Sequence, residues 1–137
     1  MVNLLIVVGI IFILSPFVLS TPWLWALVWS GFVLLIDPIL YIFHDEKSVI
    51  NLLKRHKFRI IFSIMLAGYI CGFLWEFWNY WAYTKWYYTV PILDNIKVFE
   101  IPVVGFLAYG PFALEIYVMY NFIRLLVSKR VWGIGNF

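Results

Sequence analysis

Four stretches of this chain are too apolar and too long to belong to a water-soluble protein. They cover residues 2–19, 22–43, 60–83 and 102–126, and a bilayer is crossed by about 17–25 residues of helix. Of all residues, 65% are hydrophobic and 12% are charged, whereas a soluble domain has about 25% charged residues. The sequence therefore predicts one all-α domain, a polytopic membrane protein with four transmembrane helices.

The first apolar stretch is expected to be a retained span and not a cleaved leader. No lysine or arginine precedes it, and no small-x-small cleavage site follows between Ser15 and Thr21.

One segment, residues 44–59, is clearly hydrophilic and separates the second span from the third. Its apolar residues roughly follow helical spacing, so we predict a short amphipathic helix over 45–58 that lies on the membrane surface. Each of its cations would be attracted to anionic lipid headgroups by about 1 kcal/mol. The basic residues expected to do so are Lys54, Arg55, Lys57 and Arg59.

The basic residues are divided unequally between the two predicted sides of the membrane. Four spans place both termini on one side, which then holds eight of the ten lysines and arginines, and Lys85 and Lys97 lie on the other. Seven of the eight tryptophans fall in the opposite, outer half. Because cytoplasmic loops carry the excess of Lys and Arg, we expect a protein of the inner (cytoplasmic) membrane with both termini cytoplasmic.

Aromatic side chains crowd the outer end of the third span. Nine of the fourteen residues from Trp75 to Tyr88 are aromatic, which is typical of a helix that enters the interfacial belt. The loop that follows, residues 85–101, is long for a connection without structure of its own. We expect it to lie back on the helix ends as a lid.

Three ionisable side chains fall inside the predicted spans: Asp37, Glu76 and Glu115. Such residues are costly in a bilayer and face protein or a cavity. At about 1.5 Å per residue, Asp37 and Glu115 lie roughly 22 and 20 Å from the outer ends of their spans, and Glu76 roughly 10 Å. Asp37 and Glu115 thus share a layer below the midplane, with Glu76 nearer the outer surface.

Small residues indicate which faces of the last two spans meet other helices. Gly68, Gly72 and Glu76 are spaced four apart, which lets another helix approach closely, so Glu76 is expected to point into the bundle. The same stripe continues through Asn79, Tyr80 and Tyr83. A comparable stripe on the fourth span consists of Gly105, Ala108, Pro111 and Glu115.

Pro111 has a further consequence for the backbone of the fourth span. A proline has no N–H, so it frees the carbonyl four residues earlier from its helical hydrogen bond. Here that carbonyl belongs to Leu107, and it is expected to accept a hydrogen bond from a partner or a ligand.

The two glutamates, Glu76 and Glu115, have no lysine or arginine at their depth. Each is therefore expected to be protonated or hydrogen-bonded to a polar neighbour. The candidate neighbours are Asn79, Tyr80, Tyr83, Tyr109 and Tyr117. As functional groups they would be general acids acting on an apolar substrate; as structural groups they would join helices at about 0.6 kcal/mol per bond. Both interpretations stay open.

Several kinds of site are not predicted. The net charge of +3 is small and clustered, so we expect no nucleic-acid partner. The hydrophilic segment lacks the ligand-pair spacing of a metal site, so no metal is expected from its acidic and imidazole side chains. Those residues are His44, Asp45, Glu46 and His56.

Several short motifs follow one another between residues 73 and 120. The motifs are Leu74-Trp75-Glu76 at the end of the third span, Thr84 and Trp86 in the loop, Ile101-Pro102 at the start of the last span, and Pro111 within it. This layout, about a third of the chain, resembles the small lycopene cyclase domain family of bacteria, archaea and fungi. Members of that family are helical membrane proteins that cyclise the ends of linear carotenoids by proton-initiated chemistry.

The resemblance implies a similar helical bundle more than it implies cyclase activity. The family places paired glutamates just after the first proline of the last span, where this chain has Val103-Val104. Glu76 and Glu115 would then be the acids of a lycopene-cyclase-like enzyme, or of a non-catalytic relative.

Three functions remain as expectations. The first is binding of an apolar isoprenoid- or carotenoid-like ligand between the last two spans, with or without catalysis. The residues expected to contact it are Asn79, Tyr80, Tyr83, Trp86, Tyr109 and Pro111. The second is an accessory subunit of a larger membrane complex or a homo-oligomer, and the third, less favoured, is a transporter. No cofactor is predicted beyond a bound lipid, carotenoid or quinone.

Overall fold

The computed structural model describes residues 2–21, 24–43, 46–88 and 95–127, and within them the protein is all-α. Four helical segments are long and apolar enough to cross a membrane, which confirms the predicted polytopic fold class. The helices are α1 (Val2–Leu19), α2 (Trp25–Ile42), α3 (Val49–Lys54), α4 (Phe58–Trp81), α5 (Val103–Leu107) and α6 (Tyr109–Val127). Two short strands, β1 (Lys97–Val98) and β2 (Ile101–Pro102), pair antiparallel before α5.

Some predicted features fall outside the described residues. They are the start of the second span (22–23), the start of the surface helix (44–45), the middle of the outer loop (89–94), and the basic tail from 128 onward, with Lys129 and Arg130.

The long helices lie side by side in the order α1, α2, α6, α4, because α1 packs on α2, α2 on α6, and α6 on α4. The cluster of buried apolar side chains lies between α2 and α6, where Leu40 packs with Val118 and Leu125. Most other large apolar side chains of the spans are exposed. In a bilayer such side chains contact lipid, so the outward faces need no protein cover.

The first span matches its predicted bounds, and the third shifts, because α4 covers 58–81 instead of 60–83. α2 covers Trp25–Ile42, and the predicted start of the second span at residue 22 lies outside the described residues. α4 ends early because Ala82 has an extended backbone (φ −68°, ψ 141°), which stops the helix before Tyr83.

The fourth span, predicted over 102–126, covers Val103–Val127 and is interrupted at Ala108. Ala108 separates α5 from α6 with a turn in which its N–H donates to the Gly105 carbonyl at 3.1 Å. The Leu107 carbonyl, which Pro111 cannot bond, accepts from the Tyr69 hydroxyl at 3.2 Å. The predicted hydrogen bond to this carbonyl is thus confirmed, and its partner lies on α4.

The surface helix is shorter than the predicted 45–58. α3 covers only Val49–Lys54, and Ser48 caps it by accepting from the Asn51 N–H at 3.1 Å. It ends because His56 adopts a left-handed backbone (φ 53°). The N–H groups of His56 and Lys57 then return to the carbonyls of Leu53 and Leu52, as in a Schellman motif.

Asp37, one of the three acids within the spans, has a structural partner. Its two carboxylate oxygens accept from the backbone N–H groups of Val49, at 2.6 Å, and Ile50, at 2.9 Å. These donors open α3, where a helix has unsatisfied N–H groups and favours a negative charge. Asp37 therefore fixes α3 to the end of α2.

We expect Asp37→Asn to loosen this junction. The amide cannot accept two charge-assisted bonds at once, so the free energy of unfolding should fall by about 1–2 kcal/mol. Thermal unfolding of the detergent-solubilised protein measures this. The control is Glu46→Gln, which breaks only an exposed ion pair to Arg55 (3.1 Å) and should cost under about 1 kcal/mol. Equal effects of the two substitutions would contradict the capping role.

Candidate functional site

A groove of about 820 Å³ runs along the interface of α4 and α6. Trp29 of α2 borders one side, and its ring lies 5.5 Å from that of Phe112. Within the described part of the chain the lining is apolar or aromatic, and it consists of Trp29, Ile64, Ala67, Gly68, Cys71, Gly72, Trp75, Tyr88, Ile101, Gly105, Ala108, Tyr109, Phe112, Ala113, Ile116, Tyr117 and Tyr120. Its size and chemistry are those of a small-molecule site.

Glu76 lies directly behind the wall of this groove. Its side chain is fully buried, and its Oε1 accepts from the hydroxyls of Tyr88, at 2.7 Å, and Tyr109, at 2.6 Å. Both tyrosines line the groove, whereas Glu76 does not. Its second oxygen, Oε2, is buried and has no hydrogen-bond partner among the described residues. The hydroxyls of Tyr88 and Tyr109 thus connect the Glu76 carboxyl to the groove by hydrogen bonds.

The glycines of α4 explain how Tyr109 comes so close to this carboxyl. A Cβ on Gly72 would lie 2.8 Å from Cδ1 of Tyr109, which is closer than a side chain tolerates. The phenol ring therefore lies flat across Gly72, and its hydroxyl reaches Glu76 one turn further along the helix. This close approach is the one that the Gly68, Gly72 and Glu76 spacing predicts.

Tyr88 reaches Glu76 from the loop after α4. Burial raises the pKa of the Tyr88 hydroxyl to about 12, and the hydrogen bond to Glu76 acts in the same direction. The phenol is therefore protonated at neutral pH, and it serves as a hydrogen-bond donor to the carboxyl.

Asn79 holds this loop in position. Its side chain bonds both backbone groups of Trp86: Nδ2 donates to the carbonyl and Oδ1 accepts from the N–H, each at 3.1 Å. The indole of Trp86 also stacks on that of Trp75, with ring centroids 5.7 Å apart. Residues 86–88 therefore fold back over α4. The described part of the loop thus lies on the helix end, as predicted.

An ion pair closes the two ends of the same loop. Lys85 Nζ lies 2.6 Å from Glu100 Oε1, and both side chains are largely buried. The hydrogen bond to Glu100 raises the pKa of Lys85, so the lysine stays charged. It also lies over the ring of Tyr80, 4.8 Å from the centroid.

Phe99 anchors the returning strand pair on α4. It occupies the turn between β1 and β2 with a left-handed backbone (φ 58°), an unfavourable conformation for a bulky residue. Its ring packs edge-on against Phe73, at 5.3 Å, and Phe77, at 6.0 Å. These contacts offset the local strain and hold β2, which leads into the groove at Ile101.

The structure brings only part of the predicted site together. Glu76 and Tyr109 meet at the groove, and the predicted bond between them is present. Glu115 is buried but does not line the groove. It shares the helix face of Val118 and Leu125, which pack on α2, and its Oε2 has no partner among the described residues.

The other residues predicted to contact a ligand do not line the groove. Asn79 and Trp86 support the loop, and Tyr80 packs against Phe99 at 5.6 Å. Tyr83 is fully exposed, because α4 ends before it, and Pro111 is exposed on α6. The expected bonds from Asn79, Tyr80 and Tyr83 to Glu76 are replaced by the one from Tyr88.

The four basic residues predicted to contact lipid headgroups are all exposed at the opposite end of the bundle. Lys54 Nζ donates to the Tyr41 hydroxyl at 2.5 Å, and Arg55 pairs with Glu46. Among the described residues, no three His, Cys, Asp or Glu side chains cluster as a metal site would require.

Six aromatic residues that line the groove were not predicted as ligand contacts: Trp29, Trp75, Tyr88, Phe112, Tyr117 and Tyr120. Tyr117 and Tyr120 are three residues apart on α6, a spacing that places both on the side of Tyr109 and Phe112. That periodicity was available in the sequence. For Tyr88, only the path of the loop brings it to the site.

Comparisons with models of protein families, with curated proteins and with solved structures found no match to this chain.

Proposed function

We propose that the groove binds an apolar, isoprenoid- or carotenoid-like ligand and that Glu76 supplies a proton for chemistry on it. One observation carries the proposal: a fully buried carboxyl lies one hydrogen bond behind an apolar groove, joined to it by Tyr88 and Tyr109. The groove opens on the side of the helices that lipid would cover, so its ligand would enter from the bilayer.

The proposed chemistry needs no cofactor. The Tyr109 hydroxyl, which donates to Glu76 Oε1 in this structure, turns to give its proton to a carbon–carbon double bond of the ligand, and the Glu76 carboxylic acid replaces that proton. The carbocation closes a ring and then loses a proton, which returns through Tyr109 to the Glu76 carboxylate, so the net change is an isomerisation. The surrounding aromatic rings, such as Trp75 and Phe112, present π faces that stabilise a passing cation. A positioned acid of this kind contributes about 10²–10⁴-fold to a rate.

The resemblance to lycopene cyclases supports this proposal at one motif. In Leu74-Trp75-Glu76, Trp75 lines the groove and Glu76 lies behind it. Val103 and Val104, at the position of the family's paired glutamates, do not line it. Glu76 is the one acid next to the groove among the described residues, so we propose either a cyclase-like enzyme or a relative that only binds the ligand.

The location that we propose is the inner (cytoplasmic) membrane, with both termini cytoplasmic. The charges support it: the basic residues around α3 lie at one end of the bundle, and the aromatic loop lies at the other. Basic segments face the cytoplasm, so the groove would run from the aromatic, outer end toward the cytoplasmic side.

Expression in a lycopene-producing host tests the enzymatic part of the proposal. We expect the carotenoids to shift toward cyclised products, which liquid chromatography with mass spectrometry resolves. The same purified protein should carry an isoprenoid detectable by native mass spectrometry. A lycopene profile unchanged from the empty vector, together with no bound isoprenoid, would overturn the proposal; a bound isoprenoid without turnover would indicate the binding relative.

A second function, an accessory subunit of a larger membrane complex, is favoured by the position of α1. α1 packs on α2 at the end of the row of four long helices, and 11% of its residues are buried. Its outward face, which includes Leu4, Ile11 and Val18, would suit a partner helix. Co-purification with larger membrane proteins in mild detergent supports this function, and a stable lone monomer counts against it.

A further inference from the structure

A second pocket, of about 440 Å³, lies at the basic end of the bundle. It is lined by Glu46, Lys47, Leu52, Lys57, Ile60, Tyr117, Tyr120 and Asn121. Two of these residues, Tyr117 and Tyr120, also line the apolar groove. The two spaces are therefore adjacent at this tyrosine pair, and the second has charged side chains in its wall.

Among the described residues, two lysines and one glutamate line the second pocket. Lys47 and Lys57 border it, and the carboxylate of Glu46 is paired with Arg55 outside it, at 3.1 Å. Asn121 is almost fully buried in its wall and is held there because Nδ2 donates to the Tyr117 carbonyl at 2.8 Å. An amide nitrogen carries two N–H groups, so the second can serve a ligand.

The distance between the ends suits a long molecule. Tyr109, beside Glu76, and Tyr120, at the second pocket, are eleven residues apart on α6, or roughly 16 Å at about 1.5 Å per residue. A ligand that fills both spaces has an apolar chain of that length and an anionic head. Two cations and a neutral donor match the several oxygens of a phosphate group.

We propose that the ligand is an amphiphile: an isoprenoid chain in the groove whose phosphate ester head is bound by Lys47 and Lys57. The isoprenoid chain rests on the proposed function, whereas the phosphate head rests on the second pocket alone. This arrangement places the far end of the chain, and not its head, beside Tyr109 and Glu76. Proton-initiated chemistry would thus act on the terminal double bond, and the phosphate would remain intact.

The chain contains its own probe of occupancy. Cys71 is the only cysteine, it is exposed, and it lines the groove. A ligand in the groove should therefore slow the reaction of Cys71 with N-ethylmaleimide. The full-length protein in detergent would be titrated with farnesyl phosphate, farnesol, phosphatidylglycerol or inorganic phosphate, and the labelling followed by intact-protein mass spectrometry.

We expect farnesyl phosphate to protect Cys71 at about tenfold lower concentration than farnesol, because two lysines attract its head. The double substitution Lys47→Gln/Lys57→Gln should abolish this difference without changing the response to farnesol. The control Lys54→Gln/Arg59→Gln removes two charges at the same end of the bundle but outside the pocket, and it should retain the difference.

A substitution in the groove and its matched control test the contact with the isoprenoid chain separately from the contact with the head. Ala67 lines the groove and is exposed, so Ala67→Phe should fill it and weaken protection by both isoprenoids. Ala26 is exposed on α2 outside the groove, and Ala26→Phe should leave protection unchanged. Labelling of the unliganded variants is the check that Cys71 remains reactive.

Each alternative result has a definite meaning. Equal protection by farnesol and farnesyl phosphate overturns the phosphate head and leaves the proposed function intact. Stronger protection by phosphatidylglycerol than by farnesyl phosphate upholds the phosphate site but assigns it to a bilayer lipid, which removes the isoprenoid. Protection by inorganic phosphate alone overturns the amphiphile, and no protection by any isoprenoid overturns the proposed function itself.

Discussion

Replacing Glu76 with glutamine is expected to abolish cyclised products in a lycopene-producing host while the protein still folds. The glutamine Oε1 can accept from Tyr88 and Tyr109 as the carboxyl does, so the two hydroxyls stay satisfied. The amide cannot give up a proton to Tyr109, and loss of a positioned acid costs about 10²–10⁴-fold in rate. Carotenoid profiling and thermal unfolding of the same preparation measure the two effects.

Two further substitutions make this result specific. Glu76→Leu also removes the acceptor, and an unsatisfied buried hydroxyl costs about 1–3 kcal/mol, so this variant should lose stability as well as product. Glu100→Gln removes a carboxyl at the same end of the bundle that pairs with Lys85 and does not line the groove; it should retain turnover. Full activity and unchanged stability of Glu76→Gln would remove Glu76 from any mechanism.

Glu115→Gln distinguishes the two acids that the sequence predicts. Glu115 lies on the face of α6 that packs on α2 and does not line the groove. If the groove is the site, this substitution should leave the products unchanged. Loss of product equal to that of Glu76→Gln would mean that the ligand reaches the interface of α2 and α6 instead.

The transmembrane helices were predictable because hydropathy alone decides which residues lie in a bilayer. The site was predictable where local geometry decides it. The four-residue spacing of Gly68, Gly72 and Glu76 indicates a close helix contact, and Pro111 frees a specific carbonyl; both predictions agree with the structure.

The part of the site that depends on where α4 ends could not be obtained in the same way. Extending the helical stripe past residue 81 led to Tyr83 as a partner of Glu76, whereas the chain leaves the helix at Ala82. The actual partner, Tyr88, is twelve residues from Glu76. It arrives because Asn79 binds both backbone groups of Trp86, a side-chain contact that no periodicity reports.

The surface helix shows the same error, because the predicted pattern was extended beyond the end of the helix. Charge and apolar spacing continue over residues 45–58, but α3 stops at Lys54. The reversal at His56 depends on a left-handed backbone in a residue other than glycine, for which the sequence has no clear signal. Asp37 then fixes the start of this short helix from a different span.

A single methyl group at Gly68 is expected to separate α4 from α6. A Cβ there would collide with the Tyr109 carbonyl oxygen and would lie 2.6 Å from the Cβ of Ala113. Neither is a flexible side-chain end, so the helices must move apart. Overpacking of this kind costs about 1–3 kcal/mol, and Gly68→Ala should lower the unfolding temperature in detergent by several degrees.

Gly105→Ala is the matched control, because it adds the same methyl group to the same groove. Its Cβ would meet only the Ile101 side chain, at 3.0 and 3.1 Å, and that side chain can rotate away. Within α5, alanine is also the better helix former, by about 1 kcal/mol. Gly105→Ala should therefore be neutral or stabilising. If both substitutions lowered the unfolding temperature equally, groove filling, and not the contact between Gly68 and the Tyr109 backbone, would govern stability. Gly68→Ala should also displace Tyr109 from Glu76, so a loss of product that accompanies the loss of stability ties the helix contact to the candidate acid.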